Sequence, residues 1–399
     1  MSGLGVVFVG VVAFTLIVLA LVAVILTAKS TLIPSGEVKI EINGDASKTL
    51  RVQPGDKLLN VLTANKIFIP AACGGGGTCG QCKVRVLSGG GEILATERGF
   101  MTRHEIKTKV RLACQTPVKQ DMKLELPADV VSAKSWECVV RSNESVAVFV
   151  KELVVELPEG ADEQFKTGEY VLLTRPAGRL VKYADFDVPE KYREEWEKKK
   201  FFALTSASKE STTRPYSLAN YSQEKGILKF NLRVNAPSAY FFGLKPGDKL
   251  TVEGPFGNFL VRETSAEKVF IGEGVGLAQL RAHVCELLKT LNRKEKISLW
   301  YGARTLGDAY YLDEFVKLEE EYPNFSFNLA LATPEASDSF PSSRGSVFKV
   351  LYDHYLKDHR APEDCEYFIC CSAKETKATV AMLDNLGVER ESMFFGNFG

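Results

Sequence analysis

The stretch Cys73-Gly-Gly-Gly-Gly-Thr-Cys79-Gly-Gln-Cys82 is the most informative segment of this sequence, and a fourth cysteine follows at Cys114. The spacing of the four is C-x5-C-x2-C-x31-C. Three thiolates so close in sequence can converge on one metal centre only if the backbone folds tightly, and the glycines supply that conformational freedom. The segment therefore predicts a metal centre ligated by four cysteines.

The same spacing bears on which metal the cysteines bind. Zinc sites usually join two C-x2-4-C or H-x3-5-H pairs, whereas here the fourth cysteine stands alone. Plant-type iron-sulfur proteins use C-x4-C-x2-C with a distant fourth cysteine, which is one residue shorter in the first gap. The spacing favours a 2Fe-2S cluster on Cys73, Cys79, Cys82 and Cys114 over zinc or free thiols. The region 38–126 resembles ferredoxin domains, which implies a β-grasp fold and one-electron transfer.

The N-terminus differs in composition from the rest of the chain, because residues 1–28 contain no Asp, Glu, Lys or Arg. Residues 4–28 are almost all apolar, and a helix of that length, at about 1.5 Å per residue, spans a hydrocarbon core of about 30 Å. A cleaved signal peptide would need a basic start and a shorter apolar core, so a transmembrane helix is favoured. The first charge is Lys29, which places the following body in the cytoplasm by the positive-inside tendency.

Composition excludes several classes of protein. The 399 residues predict more than one domain, and 50 basic against 50 acidic residues give no field that favours nucleic acid. Nine cysteines are too few for a disulfide-built scaffold in a chain of this length. The changes in pattern along the chain predict a transmembrane anchor at 1–30, a 2Fe-2S ferredoxin domain at 36–128, an FAD-binding barrel at 135–262 and an NADH-binding domain at 266–399.

The region after residue 135 alternates short apolar strands with Pro and Gly turns, a pattern typical of an antiparallel β-barrel. Within it, residues 187–200 have few apolar positions and predict a solvated surface helix. Arg214-Pro-Tyr-Ser217 offers a cation for a diphosphate, a ring for stacking and a hydroxyl for a ring nitrogen. This motif and Gly254-Pro-Phe-Gly257 resemble the flavin motifs of the ferredoxin-NADP+ reductase family. That resemblance implies FAD on the barrel, with diphosphate contacts from Ser238 and Tyr240.

The last third of the chain alternates buried strands with helices. A strand at 268–271 leads into a turn containing Gly272, Gly274 and Gly276, and then into a helix predicted at 277–291. Strand, glycine turn and helix is the arrangement that directs backbone N–H groups at a nucleotide pyrophosphate. Further strands are predicted at 297–301, 326–331 and 367–371. The fold class is therefore multidomain α+β and α/β, with a parallel nucleotide-binding sheet.

The complete order of parts resembles the F subunits of Na+-translocating NADH:quinone oxidoreductases, respiratory complexes of bacteria. The resemblance implies that NADH is oxidised at FAD and that electrons pass one at a time through the 2Fe-2S cluster to membrane subunits. It also implies ubiquinone as final acceptor, coupled Na+ transport and a place in the bacterial inner membrane, with the soluble domains in the cytoplasm. Catalytic roles are implied for Ser217, Cys370 and Phe398. Cofactor contacts are implied for a larger set: Arg214, Tyr216, Ser217, Ser238, Tyr240, Gly254, Gly257, Gly272, Gly274, Gly276 and Phe398.

This chain departs from that family on the nucleotide side. Glu273 replaces a glycine and would place a carboxylate near the pyrophosphate, and Gln279 replaces a proline. A Cys-Gly-Pro-Pro motif becomes Cys370-Cys-Ser-Ala373, where Cys371 obstructs a close backbone approach. Three alternatives stay open: a paralogue with an altered or lost NADH site, the reductase of a multicomponent oxygenase, and a membrane-bound ferredoxin with a cofactor-free C-terminal half.

Overall fold

The computed structural model describes residues 3–32, 36–71, 75–161, 165–257 and 259–396, so Cys73 and Phe398 lie outside the described residues. The chain divides into two compact units, Met1–Val131 and Ser132–Gly399. The four-part division expected from the sequence is finer than this and stays a prediction.

The chain begins with a long helix, α1 (Gly3–Leu32), whose side chains are described from residue 10 to residue 24 only. All of those side chains are exposed. Over the residues that the structure describes, no helix is both long enough and apolar enough to cross a membrane. The anchor expected at residues 4–28 is therefore not confirmed and stays a prediction.

The rest of the first unit is a small α+β domain. Its elements are β1 (Val38–Ile42), β2 (Asp45–Val52), α2 (Leu58–Ala64), β3 (Lys83–Ser88), α3 (Ala95–Arg98), α4 (Arg103–Lys107), β4 (Val110–Leu112), β5 (Met122–Glu125) and α5 (Ala128–Ser132). They form a mixed five-stranded sheet of order β2-β1-β5-β3-β4, in which β1 and β5 are parallel. Val38, Ile40 and Ile42 alternate into the core, and α2 buries Leu58 and Leu62.

The first half of the second unit is an antiparallel β domain. Its elements are β6 (Lys134–Ala147), β7 (Val150–Glu156), β8 (Tyr170–Arg175), β9 (Val181–Lys182), α6 (Glu190–Lys198), β10 (Thr205–Ser206), β11 (Thr212–Ser217), β12 (Ile227–Arg233), α7 (Ala239–Phe242) and β13 (Lys249–Phe256). Six strands pair in the order β11-β8-β13-β6-β7-β12, all antiparallel. The predicted barrel is thus observed as an antiparallel sheet with β11 and β12 at its ends.

Helix α6 corrects one expectation, because it is not a wholly solvated helix. Trp196 is 1% exposed, its indole N–H donates to the Val148 carbonyl at 2.6 Å, and its ring packs against Phe201 at 5.4 Å between centroids. The other α6 residues are largely charged and exposed. Trp196, together with the partly buried Tyr192, therefore anchors a helix whose composition alone indicates a surface position.

The second half of this unit is a parallel α/β domain, as predicted. Its elements are β14 (Lys268–Glu273), α8 (Leu277–Cys285), β15 (Ile297–Ala303), α9 (Leu312–Glu321), β16 (Phe325–Leu331), β17 (Ser343–Arg344), α10 (Val347–His354), β18 (Glu366–Cys370), α11 (Ala373–Asn385) and β19 (Met393–Phe395). The sheet order is β17-β16-β15-β14-β18-β19, and every pair is parallel. The chain moves outward from β14 in both directions, so a crevice is expected where β14 and β18 end.

Glu253 on β13 is a buried carboxyl group, and we expect it to make stability depend on pH. It is 9% exposed, its Oε2 atom has no hydrogen-bond partner among the described residues, and burial raises its pKa to about 7. Because the pKa of Glu253 in the folded protein is above its usual value of 4.5, folding favours the protonated carboxyl group. The contribution of Glu253 to stability is therefore present below pH 4.5 and is lost as the pH rises to about 7.

Replacing Glu253 with Gln should therefore raise the free energy of unfolding by about 2–3 kcal/mol at pH 8. The difference should disappear below pH 4.5, where both side chains are neutral. Thermal unfolding of both proteins across this pH range measures the effect. Glu137→Gln, at an exposed position on β6, is the control and should show little pH-dependent difference. A variant no more stable than the parent at pH 8 would contradict the assignment.

Candidate functional site

The cysteine loop before β3 is the first candidate site. Cys82 and Cys114 are each 1% exposed, and the Ala113 amide donates to the Cys82 carbonyl at 2.8 Å, which holds the two segments side by side. The side-chain amide of Gln115 donates to the Cys114 sulfur at 3.7 Å. Burial, with the thiols of Cys114 and Cys79 as further contributors, raises the pKa of Cys82 to about 12. A cationic centre is what would hold these sulfurs as thiolates.

The backbone around Cys79 turns tightly and is closely packed. Gly80 has φ +68°, and a Cβ atom there would lie 2.7 Å from Cδ1 of Phe100. Gly77 also has a positive φ, +78°, so the loop requires glycine at both positions. Soft sulfur donors on a tightly turned loop fit a 2Fe-2S cluster. The remaining predicted ligand, Cys73, lies outside the described residues.

The predicted flavin motif lies on β11 and packs against α7. Arg214, Tyr216 and Ser217 are half-buried on β11, which pairs with β8. The Phe241 ring lies 5.3 Å from the Tyr216 ring and 5.2 Å from the Tyr240 ring, measured between centroids. Burial raises the pKa of Tyr216, so its phenol stays neutral. A half-buried aromatic ring with an arginine two residues away on the same strand face fits the ring system and diphosphate of a flavin nucleotide.

The loop between β12 and α7 is less suited to the predicted diphosphate contact. The Ser238 side chain is buried, and its hydroxyl donates to the carbonyl of Arg233 and contacts Asn235 Oδ1 at 2.9 Å. Its backbone amide also donates to Asn235 Oδ1 at 2.9 Å. Ser238 therefore stabilises this loop, and its diphosphate role stays a prediction.

The glycines expected at the flavin and nucleotide sites lie near the ends of β13 and β14 and in the turns that follow these strands. Gly254 is within β13, and Gly257 follows it with φ +96°, beside the Tyr170 ring. Gly272 is the last buried residue of β14. A Cβ atom on Gly272 would lie 2.6 Å from Cδ1 of Leu280 on α8. Gly274, at φ +54°, and Gly276 form the single helical turn that leads into α8. The strand, turn and helix predicted from the sequence are all present.

The crevice at the ends of β14 and β18 contains the residues that depart from the family pattern. The Ser372 backbone N–H donates to the Glu273 carboxylate at 3.2 Å, and Ser372 is also the N-cap of α11. The Glu273 carboxylate is thus directed toward α11. Burial first, and the charge of Glu273 further, raise the pKa of the Glu375 carboxyl group, so two carboxyl groups influence each other at this end of the crevice.

The thiol predicted to be catalytic in this crevice is enclosed. Cys370 is 1% exposed, and its Sγ lies 3.8 Å from Oε1 of Gln279. The Gln279 amide nitrogen donates in turn to the Gly168 carbonyl at 3.1 Å, which links α8 to the antiparallel domain. A Cβ atom at Gly396 would lie 2.9 Å from Sγ of Cys370, so the C-terminal segment covers the thiol. The catalytic roles of Cys370, Ser217 and Phe398 stay predictions.

Two further residues at the glycine turn were not predicted from the sequence. The Tyr310 hydroxyl donates to the Gly274 carbonyl at 3.1 Å and so helps to hold the turn. An Arg233 guanidinium nitrogen at the end of β12 lies 3.9 Å from the position that a Cβ atom of Gly274 would occupy. Both residues are far from Gly274 in sequence, and neither belongs to a local motif. Arg233 thus places a cation beside the glycine turn.

The fold and these sites define a class: a ferredoxin domain joined to a reductase module with an antiparallel and a parallel half. Amycolatopsis cytochrome P450 reductase GcoB has this fold, with a TM-score of 0.64 at 22% identity over 90% of this chain and 98% of that chain. The ferredoxin reductase in carbazole 1,9a-dioxygenase has a TM-score of 0.60 at 20% identity, over 91% of this chain and 98% of that chain.

Sequence comparison identifies the family within this class. Residues 40–119 match the 2Fe-2S iron-sulfur cluster binding domain, and residues 270–378 match the oxidoreductase NAD-binding domain. The Na(+)-translocating NADH-quinone reductase F subunit of Klebsiella pneumoniae is 48% identical over 98% of each chain, and that of Pseudomonas aeruginosa is 47% identical over 98% of each. The chain belongs to the family of Na(+)-translocating NADH-quinone reductase F subunits, which confirms the resemblance seen in its sequence.

Proposed function

We propose that this protein is the electron-input subunit of a Na+-translocating NADH:quinone oxidoreductase. It oxidises NADH at FAD and passes electrons one at a time through its 2Fe-2S cluster to membrane subunits, and ultimately to quinone, coupled to Na+ transport by the complex. The observation that carries the proposal is the near full-length similarity to F subunits, which extends across both the cluster domain and the NAD-binding domain.

The two cofactors together would supply a change in electron number: a bound flavin would accept two electrons as hydride from NADH, and a 2Fe-2S cluster would accept them singly. The protein positions the groups. Tyr216 and Arg214 bind the flavin ring and diphosphate. Arg233 and the amides of the turn at Gly274 bind the nucleotide pyrophosphate at the start of α8. Cys79, Cys82 and Cys114, with Cys73, bind the iron.

The membrane location rests on the sequence of the N-terminus. Residues 4–28 form the single-pass anchor in the bacterial inner membrane, because this segment is uncharged and long enough to span the hydrocarbon core. Lys29 follows it directly and favours a cytoplasmic position for the soluble domains, where NADH is available. The partners are the other membrane subunits of the complex. The same anchor argues against the reductase of a soluble oxygenase.

Anaerobic titration of the purified protein with NADH and then dithionite, followed by visible absorption, tests the proposal. Bleaching of flavin and cluster together by NADH supports the dehydrogenase function. Bleaching only by dithionite would show that the donor is not NADH. Absence of flavin absorbance from a protein that retains its iron would contradict the reductase module altogether.

Tyr216 is expected to contribute strongly to FAD binding. Changing Tyr216 to Ala should weaken FAD binding about tenfold, because ring stacking is lost. The iron content should not change, since the four predicted cluster ligands lie in the other unit. FAD occupancy and iron are measured on the same preparation. Tyr216→Phe keeps the ring and is the matched control. Unaltered FAD binding in the alanine variant would refute the assignment.

A second candidate function is a paralogue that retains FAD and cluster but has an altered electron donor. The observation that favours it is the carboxylate of Glu273, 3.2 Å from the Ser372 amide at the start of α11. This amide is then unavailable to a substrate oxygen, and the negative charge beside the crevice repels a pyrophosphate. The anaerobic titration separates the two functions.

The effect of Glu273 can be measured directly. Glu273→Gln keeps a hydrogen-bond acceptor for the Ser372 amide but removes the charge. We expect the NADH concentration for half-maximal flavin bleaching to fall about fivefold, which corresponds to removing about 1 kcal/mol of repulsion between partly exposed charges. Stopped-flow mixing under anaerobic conditions gives this concentration. The exposed Glu263→Gln is the control. An unchanged concentration would show that the Glu273 charge does not oppose NADH.

A further inference from the structure

Three potential metal ligands converge at the amino end of the parallel sheet, the edge opposite to the nucleotide crevice. Glu267 directly precedes β14, Cys365 directly precedes β18, and His359 follows α10. The Glu366 amide donates to the Glu267 carbonyl at 2.9 Å, which fixes the starts of β14 and β18 next to each other. One side-chain donor atom from each of Glu267, His359 and Cys365 lies within 4.8 Å of both others. The proposed electron-transfer function uses none of these residues.

The two distances from the His359 imidazole are close to those expected around a small tetrahedral cation. His359 Nε2 lies 3.3 Å from Glu267 Oε2 and 3.9 Å from Cys365 Sγ. Metal–ligand bonds of zinc, at about 2.0–2.1 Å to N or O and about 2.3 Å to S, give tetrahedral ligand separations of roughly 3.3 and 3.6 Å. The nitrogen–oxygen distance already matches, and the nitrogen–sulfur distance is a few tenths of an ångström too long.

The Glu267 carboxylate is oriented for this role by its neighbours. The Tyr355 hydroxyl donates to Oε1, the oxygen that does not face His359, and the Lys296 ammonium lies 3.8 Å from the same oxygen. Lys296 also donates to the Tyr355 hydroxyl at 2.5 Å. Oε2 is thereby directed at His359. Partners of this kind, which hold a ligand's second oxygen, are typical of metal sites.

The three side chains are buried to different degrees, so an ion can reach them from solvent. Cys365 is 2% exposed, whereas the side chains of His359 and Glu267 are 17% and 16% exposed. The thiolate would therefore form the inner wall, with the imidazole and carboxylate toward solvent. A thiolate and a carboxylate neutralise a divalent cation, and a mixed S, N and O donor set favours zinc over magnesium or calcium.

We propose that Glu267, His359 and Cys365 form a zinc site with an open fourth position at the amino end of the nucleotide-domain sheet. Binding places Zn2+ on Sγ, Nε2 and Oε2 and releases the Cys365 thiol proton to solvent. The neutral imidazole then has its proton on Nδ1, so the 3.3 Å contact from the Ala361 amide to Nδ1 opens. The site ties the 359–365 segment to the start of β14.

Zinc binding to the full-length protein with its cluster and flavin intact tests the proposal. The protein is washed with a chelator, iron retention is verified, and Zn2+ is added in equilibrium dialysis with metal analysis. We expect one zinc per chain, and at least about tenfold weaker binding in each of Cys365→Ser, His359→Gln and Glu267→Gln. His354→Gln, an exposed histidine on α10, is the matched control and should bind as the parent does.

Two additional measurements distinguish loss of the proposed site from misfolding of a variant and from zinc that binds in place of iron at the cluster. Tyr355→Phe leaves all three ligands in place and should weaken zinc binding about tenfold, through loss of carboxylate orientation alone. Co2+ in place of zinc should give a thiolate charge-transfer band in the difference spectrum of the parent that is absent from Cys365→Ser. Failure of the parent to bind zinc, equal binding by the ligand variants, or uptake matched by loss of iron would each overturn the proposal.

Discussion

Replacing Cys79 with alanine is expected to remove the 2Fe-2S cluster while leaving reduction of FAD by NADH intact. Cys79 lies on the glycine loop with Cys82 and Cys114 nearby, and a cluster with three of four thiolates is not retained. The FAD and nucleotide motifs lie in the separate second unit, so NADH should still bleach the flavin. Transfer of electrons to one-electron acceptors beyond the cluster should fall to background. Iron analysis and anaerobic NADH titration of the same sample measure both effects.

Gln81→Ala is the matched control for this variant, because Gln81 is exposed, stands between two ligands and has no expected contact with iron. It should retain its iron and its electron transfer. Loss of NADH-dependent flavin bleaching in Cys79→Ala would contradict the modular organisation. Retention of iron would show that Cys79 is not a ligand.

Replacing Glu97 with alanine is expected to cause the largest loss of stability in the cluster domain, about 3–5 kcal/mol. Glu97 is fully buried, and its two carboxylate oxygens accept from Arg111 Nε at 2.9 Å and Nη2 at 2.8 Å. The backbone amides of Leu94 and Leu112 also donate to it, each at 2.9 Å. Removing the carboxylate leaves two backbone amides and the Nε and Nη2 groups of the buried Arg111 guanidinium without this acceptor, while Nη1 keeps the carbonyls of Gly90 and Gly91.

The effect is measured as a lower urea midpoint for loss of cluster absorbance at pH 7. Glu125→Ala is the control, because Glu125 pairs with Arg85 at the surface and should contribute less than about 1 kcal/mol. The double change Glu97→Leu with Arg111→Met should be less destabilising than Glu97→Ala, since no charge is left unpaired. Equal midpoints for Glu97→Ala and Glu125→Ala would refute the role of the buried pair.

The pH dependence of this pair has a defined sign. Burial would raise the pKa of Glu97, but the hydrogen bonds from Arg111 and from the two amides outweigh it and hold the pKa below the usual 4.5. The contribution to stability is therefore present above pH 4.5 and is lost as the pH falls below that value. This is opposite to the behaviour of Glu253, whose contribution is lost as the pH rises.

Regular elements and contiguous motifs were largely predictable. The strand, glycine turn and helix at β14 and α8 follow from a buried apolar run and three nearby glycines, and the structure contains them. The helix is shorter than predicted, because α8 ends at Cys285 and a π-helical turn continues to Thr290. The burial of Trp196 was missed, because one aromatic residue changes hydrophobic periodicity very little.

Side-chain roles at the crevice were not predictable in the same way. The sequence placed Glu273 beside the nucleotide, but its contact with Ser372 depends on β14 and β18 being neighbours although they are far apart in the chain. The positions of Arg233 and Tyr310 at the Gly274 turn depend on similar long-range packing. Sheet order, which local patterns do not encode, decides all three.

The sequence by itself predicted the cluster ligands Cys73, Cys79, Cys82 and Cys114 and the order of the modules, and it identified the family, because each depends on residues close together in the chain or on their order along it. Only the tertiary structure decided which groups from different elements meet: Glu97 with Arg111, Glu273 with Ser372, and Glu267 with His359 and Cys365. The physical reason is that hydrogen bonds, ion pairs and metal ligation act over a few ångströms in space, and the strand pairings that create those contacts join segments that are distant in sequence.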